Sequence, residues 1–302
     1  MKTVIIFGGS GFVGKKIAHR LSKLGYRIII PYQSSTDEAK LRLLGSFGQI
    51  IPLRFNNLKE YHIIKSIENA DIVLNLKTQW DEKPINYIKG IFEFNVELIN
   101  IIKDFDKNKS YIYFSGIGVD SQSKSKRTIA IFETEKFIKE NMTNSTIIRP
   151  SIIFGPGDNF LNKLIPIFKI SFFIPLFGSG KSKIQPVYID DVIKGLETII
   201  KNNMKGSKTF EFIGNEILTY KELYKYICKC LKIKRVFIYI PFFVVKIIVF
   251  LLNFISINII SLEQINLFKY DNIGKNSQKE FADIGIHPQN TKEMIKKNVL
   301  TY

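Results

Sequence analysis

Phe7-Gly8-Gly9-Ser10-Gly11-Phe12-Val13-Gly14 decides how the rest of the chain is read. An apolar run, Thr3 to Phe7, leads into it, and a helical pattern follows with Val13, Ile17, Ala18 and Leu21 on one face and basic residues on the other. Strand, glycine-rich turn and helix, in that order, form the setting a dinucleotide fingerprint needs. Gly8 permits the tight turn, Gly11 lets the backbone approach a pyrophosphate, and Gly14 lets the helix pack closely on the strand. The phosphates would rest on the free N–H groups and positive end of that helix. The glycine spacing alone fits a plain strand-to-helix turn equally well. The apolar strand before it and the amphipathic helix after it favour a nucleotide site.

Working outward, Arg27 to Tyr32 is a second β-branched run, so residues 3–32 make one β-α-β unit. NAD-selective proteins carry Asp or Glu at the end of this second strand, bonded to the ribose hydroxyls. Here the strand ends in Tyr32-Gln33 and the first acid is Asp37. Lys15 and Lys16 follow the last glycine. A missing acid and nearby ammonium groups favour the extra phosphate, so NADP(H) is expected ahead of NAD(H). The alternative is that both lysines are ordinary exposed helix residues.

The rhythm continues with strands at Gly48 to Leu53, Asp71 to Leu76, Ser110 to Ser115 and Ser145 to Ile148. Helices are expected at Glu60 to Ile67, Pro84 to Phe105 and Thr128 to Glu140. Nearly continuous apolar strands mean burial on both faces, as in a parallel sheet covered by helices. The fold class is therefore α/β: a Rossmann-type, doubly wound parallel sheet over 1–150, with a smaller C-terminal α/β lobe over 151–302 built onto it. In that lobe Phe160 to Phe177 reads as a short helix plus loop, Pro186 to Ile189 as a strand and Lys208 to Ile213 as another. Thr219 caps a helix to Leu231, Asp271 to Asn276 is a loop and Thr291 to Asn298 a last helix. Asp190-Asp191 could pass for a catalytic carboxylate pair. The plainer reading is that Asp190 caps a helix and Asp191 sits in its first turn.

The 302 residues suffice for a large core. Net charge is +17 with pI near 9.6, but Lys, Ile and Asn are abundant throughout. A solvated lysine-rich surface explains this, with an anionic membrane or acidic partner as the functional alternative. Nucleic acid is not expected, because no helix-turn-helix or RNA-binding signature is present. Cys228 and Cys230 are too few for a disulfide framework, and two apart on a helix they point to different faces. No metal site is expected. The first strand begins at residue 2 or 3, leaving no room for a signal peptide, so a cytoplasmic address is expected.

Three motifs then occur together: the glycine loop, Arg149-Pro150-Ser151-Ile152-Ile153-Phe154-Gly155-Pro156-Gly157-Asp158, and Gln185-Pro186-Val187-Tyr188-Ile189-Asp190-Asp191-Val192. With these the chain resembles an extended short-chain dehydrogenase/reductase. More narrowly it is similar to the atypical branch holding the NAD(P)H-binding accessory subunits of respiratory complex I and their bacterial relatives. Ile29-Ile30-Pro31-Tyr32, Leu44 to Gln49, Asp158-Asn159-Phe160-Leu161-Asn162, Asp283-Ile284-Gly285-Ile286 and the ending Leu300-Thr301-Tyr302 extend the similarity over essentially the whole chain.

The resemblance implies a cofactor site. Gly8, Ser10, Gly11, Phe12, Val13 and Gly14 would hold the pyrophosphate. Lys15 stands where relatives carry a basic residue near the adenosine phosphate. Asn56 or Asn57 would lie near the adenine, Asn75 and Leu76 along the ribose, and Pro150, Ser151 and Ile152 beside the nicotinamide. Relatives often have Arg where this chain has Gln33.

Active members of the superfamily use a Tyr-x-x-x-Lys pair on the helix after the fifth strand and a Ser at that strand's end. The Lys lowers the phenol's pKa for proton exchange near neutral pH. Ser115 is in place, but the Tyr position falls on Arg127 and the Lys position on Ile131. Arg stays protonated and Ile has no titratable group. Tyr61 to Lys65 has the right spacing, on a helix away from the reactive end. His19, His62 and His287 are scattered and offer no replacement base. The expected function is therefore NAD(P)H binding without catalysis, in the service of respiratory complex I subunits or assembly factors. The alternative is an NAD(P)-dependent reductase, epimerase or dehydratase acting on a sugar, sterol or quinone-like substrate.

Ile238 to Ile260 is strongly apolar, with Pro241 placed to start a helix and Lys246 and Asn253 as polar breaks. Spanning needs about 20 apolar residues, and this run has Lys246 inside it and ends in Ser256 and Asn258. A buried helix competes with one lying at an anionic membrane surface or subunit interface. The second reading predicts a peripheral protein on the inner face of the cytoplasmic membrane, or on the matrix side in a mitochondrion.

Overall fold

The computed structural model describes residues 1–33, 38–79, 86–106, 108–123, 125–203, 205–245, 247, 268–275 and 279–301. The chain divides into two compact units: Met1–Arg149 with Ile193–Phe210, and Pro150–Val192 with Glu211–Tyr302.

The first unit is built on parallel strands. In chain order its elements are β1 Thr3–Phe7, α1 Phe12–Lys23, β2 Arg27–Tyr32, α2 Glu38–Arg42, β3 Ile50–Arg54, α3 Tyr61–Asn69 and β4 Ile72–Asn75. A π-helical turn, Ile88–Glu93, then runs into α4 Phe94–Phe105, followed by β5 Ser110–Phe114, α5 Lys126–Asn141 and β6 Ser145–Pro150. The second unit begins with β7 Ile153–Phe154, α6 Leu161–Ile170, β8 Phe173–Phe177, β9 Lys183–Ile184 and β10 Val187–Tyr188. Next come α7 Ile189–Lys201 and β11 Lys208–Phe212, most of whose residues return to the first unit, and then, in the second, β12 Leu218–Thr219, α8 Tyr220–Leu231, β13 Val236–Ile240 and α9 Thr291–Thr301.

The large sheet has the order β11-β6-β5-β4-β1-β2-β3. β1 pairs in parallel with both β2 and β4, Val4 opposite Ile28 and Ile5 opposite Val73. Successive strands are added on one side of β1 up to β3 and on the other side from β4 onward, which makes its carboxyl end the topological switch point where doubly wound sheets bind ligands. Alternate residues point to opposite faces. One parity, Ile5, Phe7, Ile29, Val73, Tyr111 and Ile147, packs with Ile63 and Ile67 of α3 and Leu98 and Ile102 of α4. The other parity, Val4, Ile6, Ile28, Ile30, Leu74, Ile112 and Ile148, is equally buried. Both faces being covered is why these strands read as unbroken apolar runs. Arg20 on α1 reaches Glu197 on α7 at 2.7 Å, one contact by which Ile193–Phe210 belongs with the first unit.

Several boundaries differ from the sequence reading. Ser125 accepts the Thr128 N–H at 3.1 Å, so α5 begins two residues before Thr128. The long helix expected before Phe105 is interrupted by the π-helical turn, and residues 80–85 lie outside the described set. Helix α7 begins at Ile189, so Asp190 and Asp191 both occupy its first turn and neither is the cap. The loop expected before Phe177 is strand β8, paired in parallel with β13. Pro175 is tolerated there because a two-stranded sheet leaves edge positions without ladder partners. The apolar stretch from Ile238 starts as strand: β13 runs to Ile240, and helix begins at 242 after Pro241. Residues 246 and 248–267, including most of that stretch, lie outside the described set. Among the described residues no helix is long and apolar enough to cross a membrane.

Candidate functional site

The turn after β1 has the shape its glycines require. Gly8 has φ of +79°, and a Cβ on it would lie 2.9 Å from the Leu76 backbone. A Cβ on Gly14 would lie 2.4 Å from the Gly8 carbonyl oxygen and 2.6 Å from the Gly9 Cα. Gly9, which the sequence reading did not single out, is held as tightly, 2.8 Å from the Ile30 side chain. Gly11 differs: its nearest neighbour would be 3.4 Å away, so its outer side is open to a ligand. Gly11 also stands at the start of α1, where no side chain caps the helix and its first turn carries no acid. Loop and helix therefore present uncompensated positive N–H groups behind a surface only glycine allows. A pyrophosphate fits this cradle in charge and in clearance. Lys15 is exposed and Lys16 half-buried on the same helix.

Around the loop, Leu76 follows β4 and its N–H donates to the Phe7 carbonyl at 2.8 Å, which draws it against Gly8. Asn75 is fully buried. Its Nδ2 donates to Asn95 Oδ1 at 2.9 Å and to the Tyr111 hydroxyl at 3.2 Å, and its Oδ1 accepts the Lys77 N–H at 2.9 Å. The Asn75 side chain thus braces the β4 turn and leaves the backbone of Leu76 beside the loop. Asn56 and Asn57 are exposed, and both donate their N–H to Glu60, at 2.8 and 3.3 Å. Those hydrogen bonds, the one from Asn56 largest, hold the Glu60 carboxyl below its ordinary pKa. Gln33 donates from Nε2 to the Asn56 carbonyl at 3.1 Å. Tyr32 donates its hydroxyl to Glu38, while Asp37 lies outside the described residues.

The other end of the crevice, beyond β5, is organised differently. Ser115 donates its hydroxyl to Glu135 Oε1 at 2.6 Å. Glu135 is buried on α5 and forms a two-toothed pair with Arg149, Nε to Oε1 at 2.9 Å and Nη2 to Oε2 at 2.5 Å. Arg127, at the expected Tyr position, donates to the Gln79 carbonyl and to the Thr78 hydroxyl, both at 2.8 Å, and so fastens the segment after β4. Ile131, at the expected Lys position, is buried in an apolar cluster with Tyr87, Ile91, Val119 and Ala130. Sequence reasoning missed Glu135, whose sole signal was an acid on the buried side of α5. Tyr61 is largely exposed and Lys65 is paired with Glu68 at 2.7 Å, so that spacing match builds no acid–base pair.

Pro150, Ser151 and Ile152 belong to the second unit. There the Ser151 hydroxyl donates to the Gln185 carbonyl, and its N–H donates to Phe212 at 3.0 Å. The sequence motifs of this unit serve its folding. Asp158 accepts from the N–H groups of Gly155, Phe160 and Asn162 and so anchors the start of α6. Gln185 bridges Gly214 and Gly274, and Asp191 accepts two bonds from Gln289.

Comparison with known proteins agrees with this architecture. The profile of the NAD dependent epimerase/dehydratase family matches residues 4–212. Subunit 9 of the NADH dehydrogenase (ubiquinone) 1 alpha subcomplex, mitochondrial, of Dictyostelium discoideum is 34% identical over 72% of this chain and 60% of that protein. The Arabidopsis thaliana protein of the same name is 26% identical over 95% of this chain and 74% of its own length. The chain thus spans about three-fifths of the Dictyostelium relative. A dTDP-glucose 4,6-dehydratase from Bacillus anthracis, solved with NAD, superposes with a TM-score of 0.76 at 14% identity, over 100% of this chain and 96% of that one. At that identity the likeness speaks for the fold.

Proposed function

Because the chain belongs to the NAD dependent epimerase/dehydratase family, we propose that it holds a nicotinamide dinucleotide at Gly8–Gly14 without turning it over, as an accessory subunit or assembly partner of respiratory complex I. The observation that carries this reading is the contrast inside the first unit. The glycine cradle is intact, whereas Ser115, Arg127 and Ile131 are all engaged in structural contacts. In the bound state Ser10, Phe12, Val13 and Lys15 line the pyrophosphate beside the three glycines. Asn56, Asn57, Gln33 and Leu76 flank the adenosine, and Ser115 lies toward the nicotinamide. The nicotinamide, when bound, supplies a hydride donor or acceptor. Among the described residues the two expected positions offer no group to move the accompanying proton: Arg127 keeps its protons and Ile131 has none to give. NADP(H) is favoured over NAD(H), because the residue that follows β2 is Gln33, where NAD-selective proteins carry Asp or Glu. Names of the mitochondrial relatives support the assignment to complex I.

A second-unit surface supports peripheral attachment to an anionic membrane. Ile170 is 86% exposed and Phe243 67%, with Phe172, Phe173, Ile238 and Tyr239 also exposed around the β8–β13 pair. Residues 160–183 and 229–247 hold nine Lys or Arg and no Asp or Glu. Apolar groups set among like positive charges suit a lipid surface bearing anionic headgroups. The reading is of a peripheral protein on the inner face of the membrane, the matrix side in a mitochondrion, and the mitochondrial names of the relatives support it. Mass spectrometry of the gently purified protein tests the whole reading. Retained NADPH or NADH together with respiratory-complex subunits is the expected result. A nucleotide-sugar or sterol ligand, with no such subunits, would favour the enzymatic alternative.

A further inference from the structure

Lys77 leaves the chain two residues past β4, yet its amine ends at the side chain of Gln33, just past β2, with Nζ 3.0 Å from Oε1. Strand β1 lies between β4 and β2 in the sheet. The lysine arm therefore crosses the carboxyl end of β1, over the crevice into which the glycine loop opens. Its ammonium sits 3.8 Å from the centre of the Phe94 ring. Phe94 in turn packs edge-on against Phe7 at the end of β1, with ring centroids 5.7 Å apart. The aliphatic stem and the amine are thus laid along an apolar floor, with an amide as the polar contact. Among the described residues no carboxylate pairs with this amine. Burial accordingly pulls its pKa down to about 8. Lys15 and Lys16 are placed differently, on α1, Lys15 exposed and Lys16 half-buried.

An ammonium held over an apolar ring, with an amide oxygen as its polar contact and no carboxylate partner among the described residues, is placed to be completed by an anion. In a doubly wound sheet the end of β2 is where the adenosine ribose is read. Gln33 is neutral there and can neither repel a phosphate nor pair with one. Resting on the cofactor reading above, we propose that Lys77 is the residue that recognises the 2′-phosphate of NADP(H), reaching across from β4 to the corner that Gln33 leaves uncharged. Gln33 positions the amine: its Oε1 accepts from Lys77 while its Nε2 is tied to the Asn56 carbonyl at 3.1 Å. The preference for the phosphorylated cofactor then comes from the strand-β4 side of the crevice, and Lys15 is secondary.

The test is calorimetric titration of the full chain with NADPH, NADH, adenosine 2′,5′-bisphosphate and adenosine 5′-monophosphate, repeated for Lys77→Gln, Lys77→Arg and Lys15→Gln. Thermal melts confirm that each variant is folded. Lys77→Gln should weaken NADPH and the bisphosphate by about tenfold to a hundredfold, the range a charge-assisted contact provides. NADH and the monophosphate should stay within about threefold, and Lys15→Gln, which touches the part both dinucleotides share, should leave the ratio of NADPH to NADH affinity within about threefold of wild type. Lys77→Arg should retain the preference. Equal losses for phosphorylated and unphosphorylated ligands would overturn the assignment, since the lysine would then serve the shared part of the cofactor. A larger loss of the NADPH preference in Lys15→Gln than in Lys77→Gln would overturn it too. Failure of the wild-type chain to bind either dinucleotide would instead remove the cofactor reading, and this assignment with it.

Discussion

The turn after β1 and the end of β5 lie in one sheet and answer to one fold, but they have been treated oppositely. At Gly8–Gly14 everything that would block a phosphate is missing: no Cβ at three tight positions, no cap on α1, no acid in its first turn. Around Ser115 the described side chains at the expected catalytic positions are occupied. Its hydroxyl serves Glu135, Glu135 serves Arg149, Arg127 holds the strand-β4 turn and Ile131 fills a core cluster. Binding hardware and chemical hardware are therefore separable in this fold. The second can be converted into scaffold while the first persists.

Removing the scaffold side should have the largest effect. Glu135→Ala removes the two-toothed partner of a largely buried Arg149 guanidinium, and breaking a buried pair from one side costs about 3–5 kcal/mol. Urea melts should show that loss, and the double replacement Glu135→Leu with Arg149→Met should recover much of it. A loss below about 1 kcal/mol would mean the pair is peripheral to stability, and the contrast with the glycine loop would weaken.

Gly14→Ala acts on the other side. Its Cβ would sit 2.4 Å from the Gly8 carbonyl, and such overpacking costs about 1–3 kcal/mol. Titration should show NADPH binding lost while the sheet stays folded by circular dichroism. Unchanged affinity would mean the loop is an ordinary turn.

A smaller change in stability, but a full change in location, is expected for Ile170→Glu with Phe243→Glu. Both side chains are exposed, so melts should move by no more than about 0.5 kcal/mol. Sedimentation with anionic vesicles in high salt should disappear. If the double variant still sediments, the basic apolar face is not the attachment surface.

The smallest effect is electrostatic. The Lys77 pKa falls from the ordinary 10.5 to about 8 through burial. Between those values the unfolded chain holds a proton that the folded chain has released, so stability should rise with pH across that window. Comparison of nucleotide-free wild type with Lys77→Met should isolate that rise, which solvent screening keeps modest. A wild-type slope no steeper than that of Lys77→Met would place the amine in water and remove its link to the crevice.

What the sequence disclosed follows the range of the forces involved. The glycine loop, the Thr219 cap and the apolar runs of β1, β2 and β4 are local patterns, and they are found where expected. Strand β8 was hidden because its partner β13 is remote and Pro175 mimics a loop. The contacts that define the two ends of the crevice are long-range side-chain meetings: Lys77 with Gln33 across 44 residues, Arg127 with Gln79 across 48. No spacing rule announces them. The loss of Tyr and Lys at positions 127 and 131 was legible as residue type alone, but what replaced their function was visible only in the folded chain.

The central claim is that the dinucleotide is held and not used. It is tested most directly by saturating the full chain with NADPH, measured by titration, and then following nicotinamide absorbance against a panel of ketones, quinones and nucleotide sugars. Without a general acid, which ordinarily contributes about 10²–10⁴-fold, the account predicts tight binding and a flat trace. Oxidation of the bound cofactor at several turnovers per second or more, on the order of an ordinary enzyme's rate, would contradict it.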